Sequence, residues 1–214
     1  MATIALRYHL SKSVYTVNLN NENVPTIVTV TATPSIVKEW LYSTLQDYAM
    51  YRHRLIVGLG VQCTPDGTDN PPPHTLQLCV GSLCLIFQLS LADTVPEFLR
   101  TFLLHRTNRF VGFFNQSHRK KLEDSKHRLK MHMDPFDLGT CCTDPADTDQ
   151  IKSVSGIAKL CLGIEVEHKD EIKFSDWSGQ IRLSQEQILF ACIEAQCAFL
   201  IAKRNKVWKK IADS

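Results

Sequence analysis

The chain has 214 residues, 44% of them hydrophobic and 21% charged, which suits one compact domain that buries most of its apolar side chains. Its 24 basic and 22 acidic residues leave a net charge of only +2, so composition dictates no polyanion partner and any such face must be local. No basic-then-apolar leader opens the chain and no apolar run reaches the length of a membrane span, so an intracellular protein of cytoplasm or nucleus, without a membrane partner, is expected.

In chain order, β-branched residues in partial alternation predict strands over Ile4–Tyr8, Ser13–Val17 and Thr26–Thr31, a β-rich extension spanning about residues 1–33. Thr33-Pro34-Ser35 then starts a helix expected to run to about Tyr51, with Val37, Trp40, Leu41, Leu45 and Tyr48 recurring every three to four residues. Arg54–Val61 reads as a short apolar strand buried on both faces. Thr64–Pro73 is a Pro- and Asp-rich loop, followed by a hairpin of His74–Val80 and Leu83–Leu89 around Gly81-Ser82.

Farther on, a helix is expected at Val95–Leu104, a strand at Arg109–Phe114 and a charged helix from His118 to roughly Leu129. Met133–Thr148 gathers Asp, Pro, Gly and Thr and reads as a loop or mobile lid. Helices at Ser153–Leu162 and from Ser184 to about Val207 follow, with Phe174–Ser178 as a connecting loop. The succession implies a single mixed α/β domain over residues 1–214.

Of the eight cysteines, Cys79, Cys84, Cys161, Cys192 and Cys197 lie in apolar segments and read as reduced core thiols. Cys141-Cys142 is an adjacent pair without zinc-site spacing.

Four blocks carry a resemblance when taken in order. The first is Val57-Gly58-Leu59-Gly60-Val61-Gln62; the second is the hairpin Thr75–Cys79 with Cys84–Leu89. The third is Phe110-Val111-Gly112-Phe113 with Lys121–Asp124, and the fourth joins Ser175-Asp176-Trp177, Leu183–Ile188 and Phe190–Ala195. Together they resemble the motifs of the Werner-type 3′–5′ exonucleases, of the ribonuclease H-like superfamily, and most of all its small stand-alone plant members. The resemblance covers Arg54 to about Ala202. It implies a ribonuclease H-like fold, a mixed central sheet flanked by helices, and a single-stranded nucleic-acid partner, RNA or DNA.

What the resemblance implies about activity turns on its departures. Such enzymes hold two divalent metals, Mg²⁺ or Mn²⁺, about 4 Å apart between carboxylates. Where the family carries Asp and Glu in its first motif, this chain has Gly60 and Gln62; where it carries an Asp in its second, His118 stands here; the motif's Tyr is Phe190. Glu194 alone keeps an acid, one methylene longer than the family's Asp. A degenerate site with weak or absent hydrolysis is the reading this supports. The alternative is an active exonuclease that recruits ligands from Asp66, Asp69, Asp134, Asp137 or a second copy in a homo-oligomer.

Each residue also has a plainer role. Glu194 on an amphipathic helix serves as well as a solvated charge. His118, beside Arg119-Lys120-Lys121, reads as a residue on a wet helix face, or with that cluster as a phosphate contact. Lys203, Arg204, Lys206, Lys209 and Lys210 suit the C-terminal end of a helix dipole. Trp177 reads as a packing residue.

Overall fold

In the computed structural model, which describes residues 3–9, 12–19, 24–140, 153–178 and 182–207, the alternating segments assemble into one mixed sheet. Among the described residues it has eight strands in the order β1-β2-β3-β6-β5-β4-β7-β8. These are β1 (Thr3–His9), β2 (Lys12–Asn18), β3 (Thr26–Thr31), β4 (Ile56–Cys63), β5 (Pro73–Val80), β6 (Leu83–Gln88), β7 (Arg109–Gly112) and β8 (Phe136–Asp137). The β-rich N-terminal segment is part of this sheet: β3 runs parallel to β6, with Val28 opposite Cys84 and Val30 opposite Ile86.

Helices cover both faces. On one side lie α1 (Pro34–Asp47), α2 (Glu97–Leu104) and α3 (His118–Asp124), whose Leu41, Leu99, Phe102 and Leu122 join Val57, Leu59, Val61 and Leu76 in one core. On the other, α4 (Val154–Leu162) and α6 (Gln185–Arg204) pack Ile157, Ile193 and Ala195 against Val17, Cys84 and Ile86. A short helix, α5 (Asp170–Lys173), lies between α4 and α6 in the chain.

The hairpin forms as expected, Val80 opposite Leu83 with Gly81 at φ +61°, the left-handed geometry that favours Gly in a two-residue turn. Ser184 and Gln187 build a reciprocal capping box at the start of α6.

Four expectations are corrected. The first helix ends at Asp47 and gives way to a 3₁₀ segment, Ala49–Arg54, because none of those six residues has a core to face. α3 stops at Asp124, not near Leu129: the Ser125 hydroxyl donates to the Leu122 carbonyl at 2.6 Å and closes the turn. The strand at Arg109 ends at Gly112, two residues early, where Phe114 adopts φ +49°. Met133–Thr148 is not simply a loop, since Phe136–Asp137 adds a parallel edge strand to β7 and Leu138–Thr140 forms a 3₁₀ turn. Positions 141–148 of that segment, Cys141-Cys142 included, lie outside the described residues, as do Lys209 and Lys210.

Cys79, Cys84, Cys192 and Cys197 are buried in the core, whereas Cys161 is only partly buried; burial pushes the Cys79 thiol up to about 11. Among the described residues no helix is long and apolar enough to cross a membrane.

Candidate functional site

A cleft of about 900 Å³ opens where β4 ends, between the loop after it, the start of α3, α5 and the middle of α6. It collects residues from three of the sequence blocks: Gln62, His118, Lys121 and Glu194 all line it. The strand period explains the first. Val57, Leu59 and Val61 point into the core on the α1 face, so Gly58, Gly60 and Gln62 face α6.

Glu194 comes from the buried face of α6 and is 8% exposed. The Gln62 amide Nε2 donates to its Oε2 at 2.6 Å. His168, from the segment before α5, sets its Nε2 3.8 Å from the same oxygen, too far for a hydrogen bond. The imidazole is held in place by stacking on Phe190, with ring centroids 3.7 Å apart and planes 22° from parallel. Phe190 therefore sits behind the cleft as a wall for His168, with Trp177, itself buried, 6.1 Å beyond it.

The electrostatics follow from this packing. Burial alone would raise the Glu194 pKa; the His168 and His118 rings and the Gln62 amide outweigh it and hold the carboxyl below its ordinary value. Glu194 is thus an anion whose donors are supplied by the protein, not the solvated charge of the plainer reading. His118 is not on a wet face either. It is 8% exposed, and burial pushes its imidazole down to about 4, with the Glu194 charge only partly opposing. Its Nδ1, like the His168 Nε2, is buried without a hydrogen-bond partner.

The basic cluster after His118 divides. Lys121 turns into the cleft, its Nζ 3.7 Å from Cys63 Sγ. Arg119 instead pairs with Asp134 at 3.6 Å, and Lys120 is exposed. Gly60 leaves no vacancy: a Cβ there would lie 2.7 Å from the Gln77 Oε1, and Gln77 Nε2 donates to Thr75 Oγ1.

Of the carboxylates named as replacements, Asp66 accepts from the Thr68 amide and hydroxyl, and Asp134 is engaged by Arg119. Asp137 accepts from the backbone N–H groups of Phe114, Asn115 and Gly139 at 2.8–3.3 Å. Asp69 is exposed in the loop after β4.

Mg²⁺ and Mn²⁺ seek anionic oxygen and deter competing donors. The cleft offers them one carboxylate, whose Oε2 already faces the amide hydrogens of Gln62, beside imidazole nitrogens. The residues present do not fit a two-metal centre, and among the described residues no group of three or more His, Cys, Asp or Glu is arranged to hold a metal ion. His168 is the site residue that sequence reasoning missed. Its neighbours Glu167, Lys169 and Asp170 mark the segment as surface, and only its stacking on Phe190 draws it in.

No family model matches the sequence, and no curated protein does. Solved structures do. The EXO domain of Aedes aegypti Nibbler superimposes with a TM-score of 0.63 at 13% identity, over 86% of this chain and 88% of that one. The fold is that of the ribonuclease H-like exonuclease domains. Escherichia coli RNase D, an exoribonuclease involved in structured RNA processing, gives a TM-score of 0.60 at 12% identity over 80% of this chain, and the chain spans 44% of its length. At such identities the likeness carries the exonuclease fold and leaves the chemistry to the cleft itself.

Proposed function

We propose that the chain is a Werner-type member of the exonuclease fold that holds a single nucleic-acid strand in its cleft and hydrolyses it weakly or not at all. The observation that carries this reading is the 2.6 Å bond from Gln62 to Glu194: the one acid of the motif set is spent on a neutral amide. Support for a strand as the occupant comes from the fold, whose neighbours include an exoribonuclease, and from the size of the cleft. Lys121 and Lys173 in its wall suit a phosphate, and the two unpartnered imidazole nitrogens suit its oxygens or a base edge. Asp170 lies on the same wall, so the cleft is not strongly cationic and binding there is modest. An intracellular, single-domain protein belongs to the same reading.

Single strands of RNA and DNA labelled at the 3′ or the 5′ end, with Mg²⁺, Mn²⁺ or EDTA, test it. Retention of the strand in EDTA without shortening is the expected outcome. Stepwise 3′ shortening that needs metal and vanishes in a Glu194→Ala variant purified alongside would replace this reading with an active exonuclease using relocated or inter-subunit ligands.

A further inference from the structure

The small net charge hides an uneven distribution. Residues 48–65, 98–122 and 195–212 contain no Asp or Glu, and the fold brings parts of all three to one place. β4 and β7 start side by side, with Ile56 opposite Arg109 and the Arg109 amide donating to the Leu55 carbonyl at 2.8 Å. The Thr107 hydroxyl donates to the Arg52 carbonyl at 2.9 Å, tying the loop before β7 to the 3₁₀ segment Ala49–Arg54. The end of α6 closes the group, since Lys203 and Phe199 share a second cavity of about 260 Å³ with Tyr48, Tyr51, Arg54 and Ile56.

Arg52, His53, Arg54, His105 and Arg106 are all exposed here, with Lys203 and Arg204 beside them. Among the described residues Arg52, Arg106, Arg109 and Lys203 take part in no ion pair. The carboxylate nearest in sequence is Asp47, at the end of α1. One aromatic ring and one thioether stand among these cations: Tyr51 is 53% exposed, and Met50 is 85% exposed. An exposed aromatic side chain amid exposed guanidinium groups is what a flexible polyanion with stackable faces requires. The guanidinium groups take its phosphates, and Tyr51 over the cavity takes a base.

We propose that this patch is a second binding surface for single-stranded nucleic acid, separate from the cleft. The two lie at opposite ends of β4, six residues apart from Ile56 to Gln62, or about 20 Å at the rise of a strand. A strand bound at both ends of the sheet is held by two attachments, and each raises the effective concentration of the other. The proposal takes from the cleft reading only the class of partner.

The test is fluorescence polarisation with the full chain in EDTA, using a labelled dinucleotide and a long labelled single strand. Two variants are compared: one reverses charge at the patch (Arg52→Glu, Arg54→Glu and Arg106→Glu together) and one at the cleft (Lys121→Glu). Unchanged thermal unfolding guards against misfolding, and ultraviolet cross-linking of the wild-type complex locates the strand independently. A tenfold or greater loss of long-strand affinity in the patch variant, with dinucleotide binding kept and a cross-link at Tyr51, is expected. If only Lys121→Glu weakens the long strand and the cross-link maps to the cleft, the patch proposal falls and the cleft reading stands. If the patch variant loses the long strand while Lys121→Glu changes nothing with either probe, the patch stands and the cleft reading falls. Absence of binding by either probe removes both. Patch-dependent binding to vesicles of anionic phospholipid, with strand binding indifferent to the patch, would reassign the surface to a membrane.

Discussion

At the scale of single residues, Glu194 and Gln62 form a closed pair. A buried carboxylate needs donors, and here a neutral amide provides one at 2.6 Å. Replacing Gln62 with Glu puts two carboxylates in one buried place, so the variant should lose stability above the carboxylate pKa range. It should also acquire an affinity for hard cations that the natural chain lacks. Thermal unfolding with and without Mn²⁺ checks this: the variant should gain about 1.4 kcal/mol when Mn²⁺ is near ten times its Kd, and the natural chain nothing. His118 supports a second prediction. Its imidazole titrates at about 4 in the folded chain because it is buried, against about 6.5 when unfolded. The unfolded state therefore takes up the proton first as pH falls. Stability contributed by the neutral ring is present above pH 6.5 and declines by about 3 kcal/mol toward pH 4. Urea unfolding across that range should show the decline, and His118→Gln should flatten it. Gln62, His118 and Glu194, singled out by motif order, do come together in one cleft. His168 was not legible, because nothing along the sequence says that a histidine amid Glu167, Lys169 and Asp170 stacks on a phenylalanine 22 positions later.

At the scale of elements, β4 and α6 approach each other backbone to backbone. A Cβ added at Gly58 would sit 1.9 Å from the Ala195 carbonyl oxygen, backbone that cannot swing aside. Gly58→Ala should therefore push α6 off the sheet, cost about 1–3 kcal/mol and loosen the Glu194–Gln62 pair. Equilibrium unfolding measures the cost. The capping box gives a milder contrast: Ser184→Ala removes the acceptor for the Gln187 amide and should cost about 1 kcal/mol without disturbing the cleft. Elements with local signals were legible, such as the Gly81-Ser82 turn, the helix start at Ser184 and the apolar run of β4. β8 was hidden because a two-residue strand has no periodicity; its pairing with β7 depends on a neighbour more than twenty residues upstream. α3 was overextended because Leu129 continues an apolar spacing, yet Leu129 reaches the same core by a turn, its amide bonding to the Leu122 carbonyl.

At the scale of the whole molecule, composition and topology point in different directions. A net charge of +2 argues against long-range attraction of a polyanion, yet the parallel start of β4 and β7, with Ile56 opposite Arg109, gathers arginines from segments distant in the sequence. The acid-free stretches can be seen in the sequence; that they converge cannot, because strand order decides it. Charge gathered in this way has a thermodynamic signature. Each phosphate neutralised releases condensed counterions, so the logarithm of the binding constant should fall linearly with the logarithm of salt concentration. Removing one phosphate-contacting side chain should make that slope shallower by about 0.7 for a single strand. Arg52→Gln, Arg54→Gln and Arg106→Gln, measured singly against a long strand, should each do so. Lys12→Gln, on β2 and four strands from β4 in the sheet order, should leave the slope unchanged. Equal slopes in all four variants would mean that the strand never meets the arginines, and that the uneven charge serves something other than a nucleic-acid backbone.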